Sequence, residues 1–80
     1  MIVKNKFSII SFYKFINIKN TLKLKEELIE RCEKFDIKGI ILIANEGINA
    51  GVSGGKKNIL NFINNYLTNL NINLEEIKFS

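Results

Sequence analysis

The residues that could do chemistry are few, and most of them gather in one stretch. Ala44 to Gly54 reads ANEGINAGVSG, with Glu46 and Asn49 among three glycines, and Lys56 and Lys57 follow closely. Glu46 on a turn is either a solvated carboxylate or one that accepts hydrogen bonds from backbone N–H groups across a hairpin. Beyond Ser53 and Gly54 a helix begins. Its free N–H groups, with Lys56 and Lys57 beside them, suit a phosphate. Lysines in a first helical turn oppose the helix dipole, so they are slightly unfavourable there unless an anion visits. The alternative is purely structural: Gly47 makes a turn with φ > 0, Gly51 a bulge or close backbone approach, and Gly54 a cap.

Several chemistries are excluded. A nucleotide P-loop needs four residues between its first Gly and the Gly-Lys-Ser/Thr. Here only three separate Gly51 from Gly55, and Lys57 stands at the Ser/Thr place. The chain has no histidine and one cysteine, so a disulfide, a Cys-based metal site and a His general base are all ruled out within it. Cys32 falls on the apolar stripe of a helix and reads as a small hydrophobe. We expect no catalytic residue, no metal and no cofactor.

The 80 residues are 46% hydrophobic and 25% charged, a globular composition sized for a single domain over 1–80. A chain this short has a thin core, with a net stability of about 3–5 kcal/mol. No apolar run reaches the ~18–20 residues of a membrane span, and a cytoplasmic protein is expected. The net charge of +4 favours anionic partners weakly. The 15 Ile and 12 Asn share AT-rich codons with Lys, so genome bias devalues any isolated Lys or Asn as a functional signal.

The elements that must position these residues follow from periodicity. Phe7 to Phe15 is a β-branched and aromatic strand, with Phe7, Ile9 and Tyr13 on one face and Ile10 and Phe12 on the other, as in a central strand. Asn20 or Thr21 caps a helix to about Phe35, with Leu24, Leu28, Cys32 and Phe35 as its stripe, widened by Ile29. Glu27–Arg31 and Glu30–Lys34 are spaced as i,i+4 ion pairs on its outer face. Gly39 supplies the flexible helix exit. Gly39 to Ala44 is a second strand, and Ile48 to Ser53 a third, joined in a hairpin through Asn45-Glu46-Gly47. A second helix runs to about Leu70 on the stripe Ile59, Ile63, Tyr66 and Leu70, and Leu74 to Phe79 is a fourth strand. The order β-α-β-β-α-β predicts an α+β, ferredoxin-like sandwich: a four-stranded antiparallel sheet with two helices on one face. Such a sheet serves as an RNA platform when its two central strands carry stacked aromatics. The first strand offers Phe12 or Tyr13 but the third has none, so base stacking on the sheet is not expected.

Three features together resemble a known family: YKF at Tyr13–Phe15, a cysteine in the first helix, and the KG-I-L-x-A-x-EGIN pattern over Lys38–Asn49 with Gly54 after it. They look like the N-terminal, acylphosphatase-like domain of the rhodanese-related tRNA uridine hydroxylases. Asn45 stands where that family usually has Pro, and Ala50-Gly51 where it has Gly-Thr. The resemblance implies membership of a family that hydroxylates the wobble uridine of certain tRNAs to 5-hydroxyuridine with oxygen. The reactive cysteine of that family belongs to a rhodanese domain, which would begin where this chain stops. The chain is therefore expected to be an accessory, tRNA-contacting domain, not catalytic alone, with tRNA and a rhodanese domain as partners. Tyr13, Lys14, Glu46, Gly47, Asn49, Ser53, Gly54, Lys56 and Lys57 are the candidate binding residues, with Lys14, Lys56 and Lys57 on phosphates. The alternative is a protein-interaction module whose sheet face packs on a rhodanese domain or on another copy. An acyl-phosphate hydrolase fits poorly, because the lone arginine, Arg31, lies mid-helix.

Overall fold

In the computed structural model, which describes Phe7–Ser80, the strand with apolar residues on both faces lies inside the sheet. β1 (Phe7–Phe15) pairs with β3 (Gly47–Gly55) on one side and with β4 (Lys78–Phe79) on the other, and β2 (Lys38–Ala44) lies outside β3. The order is β2-β3-β1-β4, and every pairing is antiparallel. α1 (Thr21–Lys34) and α2 (Lys56–Asn65) complete the expected β-α-β-β-α-β succession, the acylphosphatase-like ferredoxin fold.

Alternation sorts the strands. Ile10 and Phe12 of β1 and Ile48, Ala50 and Val52 of β3 are buried against Leu28 of α1 and Ile59, Phe62 and Ile63 of α2. Phe62 is fully buried, with its ring stacked on Tyr66 at 5.9 Å and edge-on to Phe35 at 6.0 Å. Asn20 caps α1 as expected, its Oδ1 accepting from the Lys23 N–H at 3.0 Å. No helix of the described residues is long and apolar enough to cross a membrane.

Several local expectations are corrected. The left-handed residue after α1 is Asp36 (φ 55°), while Gly39 lies inside β2 at φ 146°. There a Cβ would sit 2.2 Å from the Gly51 carbonyl oxygen, so close strand approach is what demands glycine. α2 ends at Asn65, and Leu67–Leu70 winds on as a 3-10 turn. Leu74–Glu76 is also 3-10, because the Asn73 and Glu76 side chains box each other's backbone and hold the turn; only Lys78–Phe79 remains strand. Glu27 pairs with the Tyr66 hydroxyl (2.9 Å) rather than Arg31, and Arg31 bonds its neighbour Glu30 (3.2 Å). Ile29, expected on the buried stripe, is half exposed.

Candidate functional site

The helices cover one face of the sheet, so the other parity of each strand faces outward. On β1 these are Phe7, Ile9, Ser11, Tyr13 and Phe15. The β1–β3 register sets Tyr13 opposite Asn49 and Ser11 opposite Gly51. The β2–β3 register carries those rows on to Leu42 and Ile40, and Lys78 of β4 lies beside Ser11. Tyr13, Asn49 and Leu42 thus form one row across the open face, and Lys78, Ser11, Gly51 and Ile40 the next.

A tight hairpin holds these rows in register. Only Asn45 and Glu46 separate Ala44 from its partner Gly47. Neither has a positive φ, so the turn lacks the primed geometry that two-residue hairpins favour. The segment after β1 supplies the hold instead. Ile16 N–H donates to the Glu46 carbonyl (3.0 Å) and Ile18 N–H to that of Asn45 (2.7 Å), while Asn45 Nδ2 donates back to the Ile18 carbonyl (3.0 Å). Gly47 is needed for space rather than for φ, since a Cβ there would lie 2.4 Å from the Lys14 carbonyl oxygen.

Tyr13 is half exposed and meets the ring of Phe15 edge-on, with centroids 4.9 Å apart. A hollow of about 310 Å³ opens beside it, lined by Ser11, Asn49, Glu76 and Lys78. A second, of about 210 Å³, lies on its other side and is lined by Leu42, Glu46, Gly47 and Asn49. Gly51 leaves the row above unfilled, with no atom within 4 Å of where a Cβ would stand. Its β3 pairing runs unbroken on both sides, so it marks neither the bulge nor the close approach expected of it. Among the described strand positions of this parity there is no carboxylate, and Lys38 and Lys78 are the charged groups. An aromatic ring, a carboxamide, a hydroxyl and an ammonium lie together here, with the Glu76 and Glu46 carboxylates at the rims of the two hollows.

The structure divides the expected site residues. Tyr13, Glu46, Gly47 and Asn49 converge at the hairpin end of the open face. Lys14 has the opposite parity, and its Nζ bonds Glu76 Oε2 at 2.6 Å. The Asn73 N–H, and then Lys14, hold the Glu76 carboxyl below its usual range. Ser53 and Gly54 lie at the far end of β3, roughly 13–17 Å from Asn49 at ~3.3 Å per residue, and Lys56 and Lys57 open α2 beyond them. Lys56 and Lys57 are exposed there, after an N-cap, Gly55, that offers no side-chain hydrogen bond. Gly54 is buried where a Cβ would lie 3.1 Å from the Asp36 carbonyl oxygen, so it serves packing, not capping. Ser11, Phe15, Leu42 and Lys78 were missed by sequence reasoning. Strand parity marks the first two, whereas Leu42 and Lys78 join the site only through pairing register. Burial raises the Cys32 thiol pKa on α1, away from this surface. Among the described residues no group of three or more Cys, Asp or Glu side chains could hold a metal.

The sequence profile of the UPF0176 acylphosphatase like domain matches residues 7–80. Curated proteins named tRNA uridine(34) hydroxylase are similar to the chain. That of Wolbachia sp. subsp. Brugia malayi (strain TRS) is 44% identical over 61 residues, 76% of this chain and 22% of that protein. That of Bartonella quintana (strain Toulouse) is 32% identical over 78 residues, 98% of this chain and 26% of that protein. That of Wigglesworthia glossinidia brevipalpis is 43% identical over 77 residues, 89% and 24% respectively. The chain therefore spans about a quarter of the length of these relatives. With strand order, hairpin and profile in agreement, this chain belongs to the UPF0176 acylphosphatase-like domain family.

Proposed function

We propose that this chain acts as the N-terminal accessory domain of a tRNA uridine(34) hydroxylase and contacts the tRNA through the open face of its sheet. The observation that carries this reading is the row Tyr13–Asn49 between two hollows, with Lys38 and Lys78 as the charged groups among the described strand positions of the face and Glu76 and Glu46 at the rims of the hollows. An unpaired base stacks on Tyr13, the Asn49 amide and Ser11 hydroxyl hydrogen-bond its edge, and Lys78 and Lys38 neutralise phosphates. One aromatic strand thus takes the place of the aromatic pair that an RNA platform was expected to need. Lys56 and Lys57 serve a more distant phosphate. The domain holds the substrate while the rest of the enzyme performs the oxygen-dependent hydroxylation of the wobble uridine to 5-hydroxyuridine. Titrating tRNA against the domain at low and moderate salt tests this. Affinity should fall with salt with a log–log slope of about −0.7 per phosphate contacted, and absence of binding at both salts would sink the tRNA-contact role.

One observation favours a second reading. Phe7, Ile9, Tyr13, Phe15, Ile40 and Leu42 are 50–75% exposed on this same face. At ~200 Å² per large side chain they present roughly 750 Å², above the largest patch of a typical monomer and near one side of a standard interface. A rhodanese domain, fused or separate, would cover such a face without any RNA. Mixing the two domains and measuring complex formation by size exclusion, with and without tRNA, separates the readings: a complex that blocks tRNA binding favours the second.

A further inference from the structure

β2 forms one outer edge of the sheet. Among the described residues β2 pairs only with β3, so one row of its backbone groups has no strand partner. Its core, Ile40-Ile41-Leu42-Ile43-Ala44, is apolar on both faces, the character of an interior strand. Ile40 and Leu42 are 68% and 63% exposed on the open side. On the other side α1 stands off the strand, and a cleft of about 440 Å³ lies between Ile29 and Cys32 of the helix and Ile41 and Ile43 of the strand. Among the described residues the devices that normally blunt an edge are missing. There is no proline, the pairing to β3 runs through seven residues without a bulge, and the only charge is Lys38 at one end.

We propose that the β2 edge pairs antiparallel with the β2 edge of a second copy, joining the two sheets into one of eight strands. The strand is complementary to itself about a two-fold axis at Ile41. Ile40 then faces Leu42 of the second copy, and Gly39, which has no side chain, faces its Ile43. Lys38 faces Ala44, which keeps the two Lys38 ammonium groups about 20 Å apart, beyond the ~8–10 Å screening length. The charged residues that line the cleft are Lys25, Glu33 and Lys38. α1 runs antiparallel to β2, so Glu33 lies at the Gly39 end and Lys25 at the Ile43 end. The axis brings Lys25 of one copy to the end of the cleft occupied by Glu33 of the other. Pairing through one seven-residue strand makes a small interface, so the expected association is weak, with a Kd between about micromolar and millimolar. The open face stays free and doubles in extent, with a Tyr13–Asn49 row on each half.

Sedimentation equilibrium of the chain from about 10 μM to about 1 mM should show the mass rising from monomer to dimer. The double variant Ile40→Lys/Leu42→Lys sets like charges across the axis at exposed positions, and should remain monomeric with an unchanged circular dichroism spectrum. A Cys32→Ser/Ile41→Cys variant should oxidise to a covalent dimer, because self-paired residues lie about 4.5–5.5 Å apart at Cα, within disulfide reach. A chain monomeric throughout, a dimer that survives the paired lysines, a dimer broken instead by Ile9→Lys on the open face, or failure of the cysteine variant to cross-link would each overturn the proposal.

Discussion

Replacing Tyr13 by leucine separates base stacking from mere apolar contact. The side chain is half exposed, opposite Asn49 and edge-on to Phe15. Leucine keeps most of the covered apolar area and loses the aromatic pairing, worth about 0.5–1.5 kcal/mol. Cross-strand pairs on an open face matter at the level of about 0.2–1 kcal/mol. The melting temperature should therefore fall by only about 4–8 °C, the shift expected for ~1 kcal/mol in a domain of this size. Stacking of a base on an aromatic ring is worth about 1–3 kcal/mol, so tRNA affinity should fall about 5- to 150-fold. Tyr13→Phe retains the ring and should bind within about threefold of the parent, the scale of ~0.6 kcal/mol. Fluorescence anisotropy with labelled tRNA reads the affinity, and thermal circular dichroism reads the fold. A leucine variant that binds as tightly as the parent would refute stacking on Tyr13. Equal losses from leucine and phenylalanine would move the contact from the ring to the hydroxyl.

Phe62→Ala removes a fully buried ring between Phe35 and Tyr66. The loss of about 3–5 kcal/mol rivals the total stability of so small a domain, so the variant should be unfolded at 25 °C by circular dichroism. Gly39→Ala drives a methyl against the Gly51 carbonyl at positive φ and should cost about 2–4 kcal/mol. Gly51→Ala meets open space and should gain about 0.5–1 kcal/mol in denaturant titrations. Burial, and then the Glu27 hydrogen bond, raise the Tyr66 phenol pKa, so folding opposes its ionisation. That stability is complete below the ordinary phenol value of about 10 and is lost as the pH rises further, so Tyr66→Phe should flatten the alkaline side of the melting profile. Glu76 is shifted the other way. Its contribution is present above its ordinary value of 4.5 and is lost as the pH falls through the lower folded value, so Glu76→Gln should flatten the acid side.

Strands built on plain alternation were legible from the residues. β1 announces its two faces by type, and the Asn45-Glu46-Gly47 turn places β2 against β3. The end of α2 was not legible, because a 3-10 turn keeps the apolar spacing of a helix: Leu67 and Leu70 continue the stripe after the backbone has changed at Tyr66. β4 was overread because Leu74 to Phe79 alternates in type, while the Asn73–Glu76 box winds its first half into a turn. Side-chain competition also redirected Glu27, whose carboxylate the Tyr66 hydroxyl takes from Arg31. The same limits apply at the site. Tyr13 and Asn49 were identifiable by type and meet in space. Lys14 looked equivalent to its neighbour Tyr13, yet one residue along a strand reverses the face, and Glu76 binds its ammonium. Lys78 reaches the site only through the register of a two-residue strand.

The most direct test is a nitrogen-15 NMR titration of the chain with a tRNA anticodon stem-loop, followed amide by amide. Binding at the open face predicts shifts concentrated at Ser11, Tyr13, Asn49 and Lys78, on one patch across β4, β1 and β3. Shifts confined to Lys56 and Lys57, or a spectrum unmoved by saturating RNA, would contradict it.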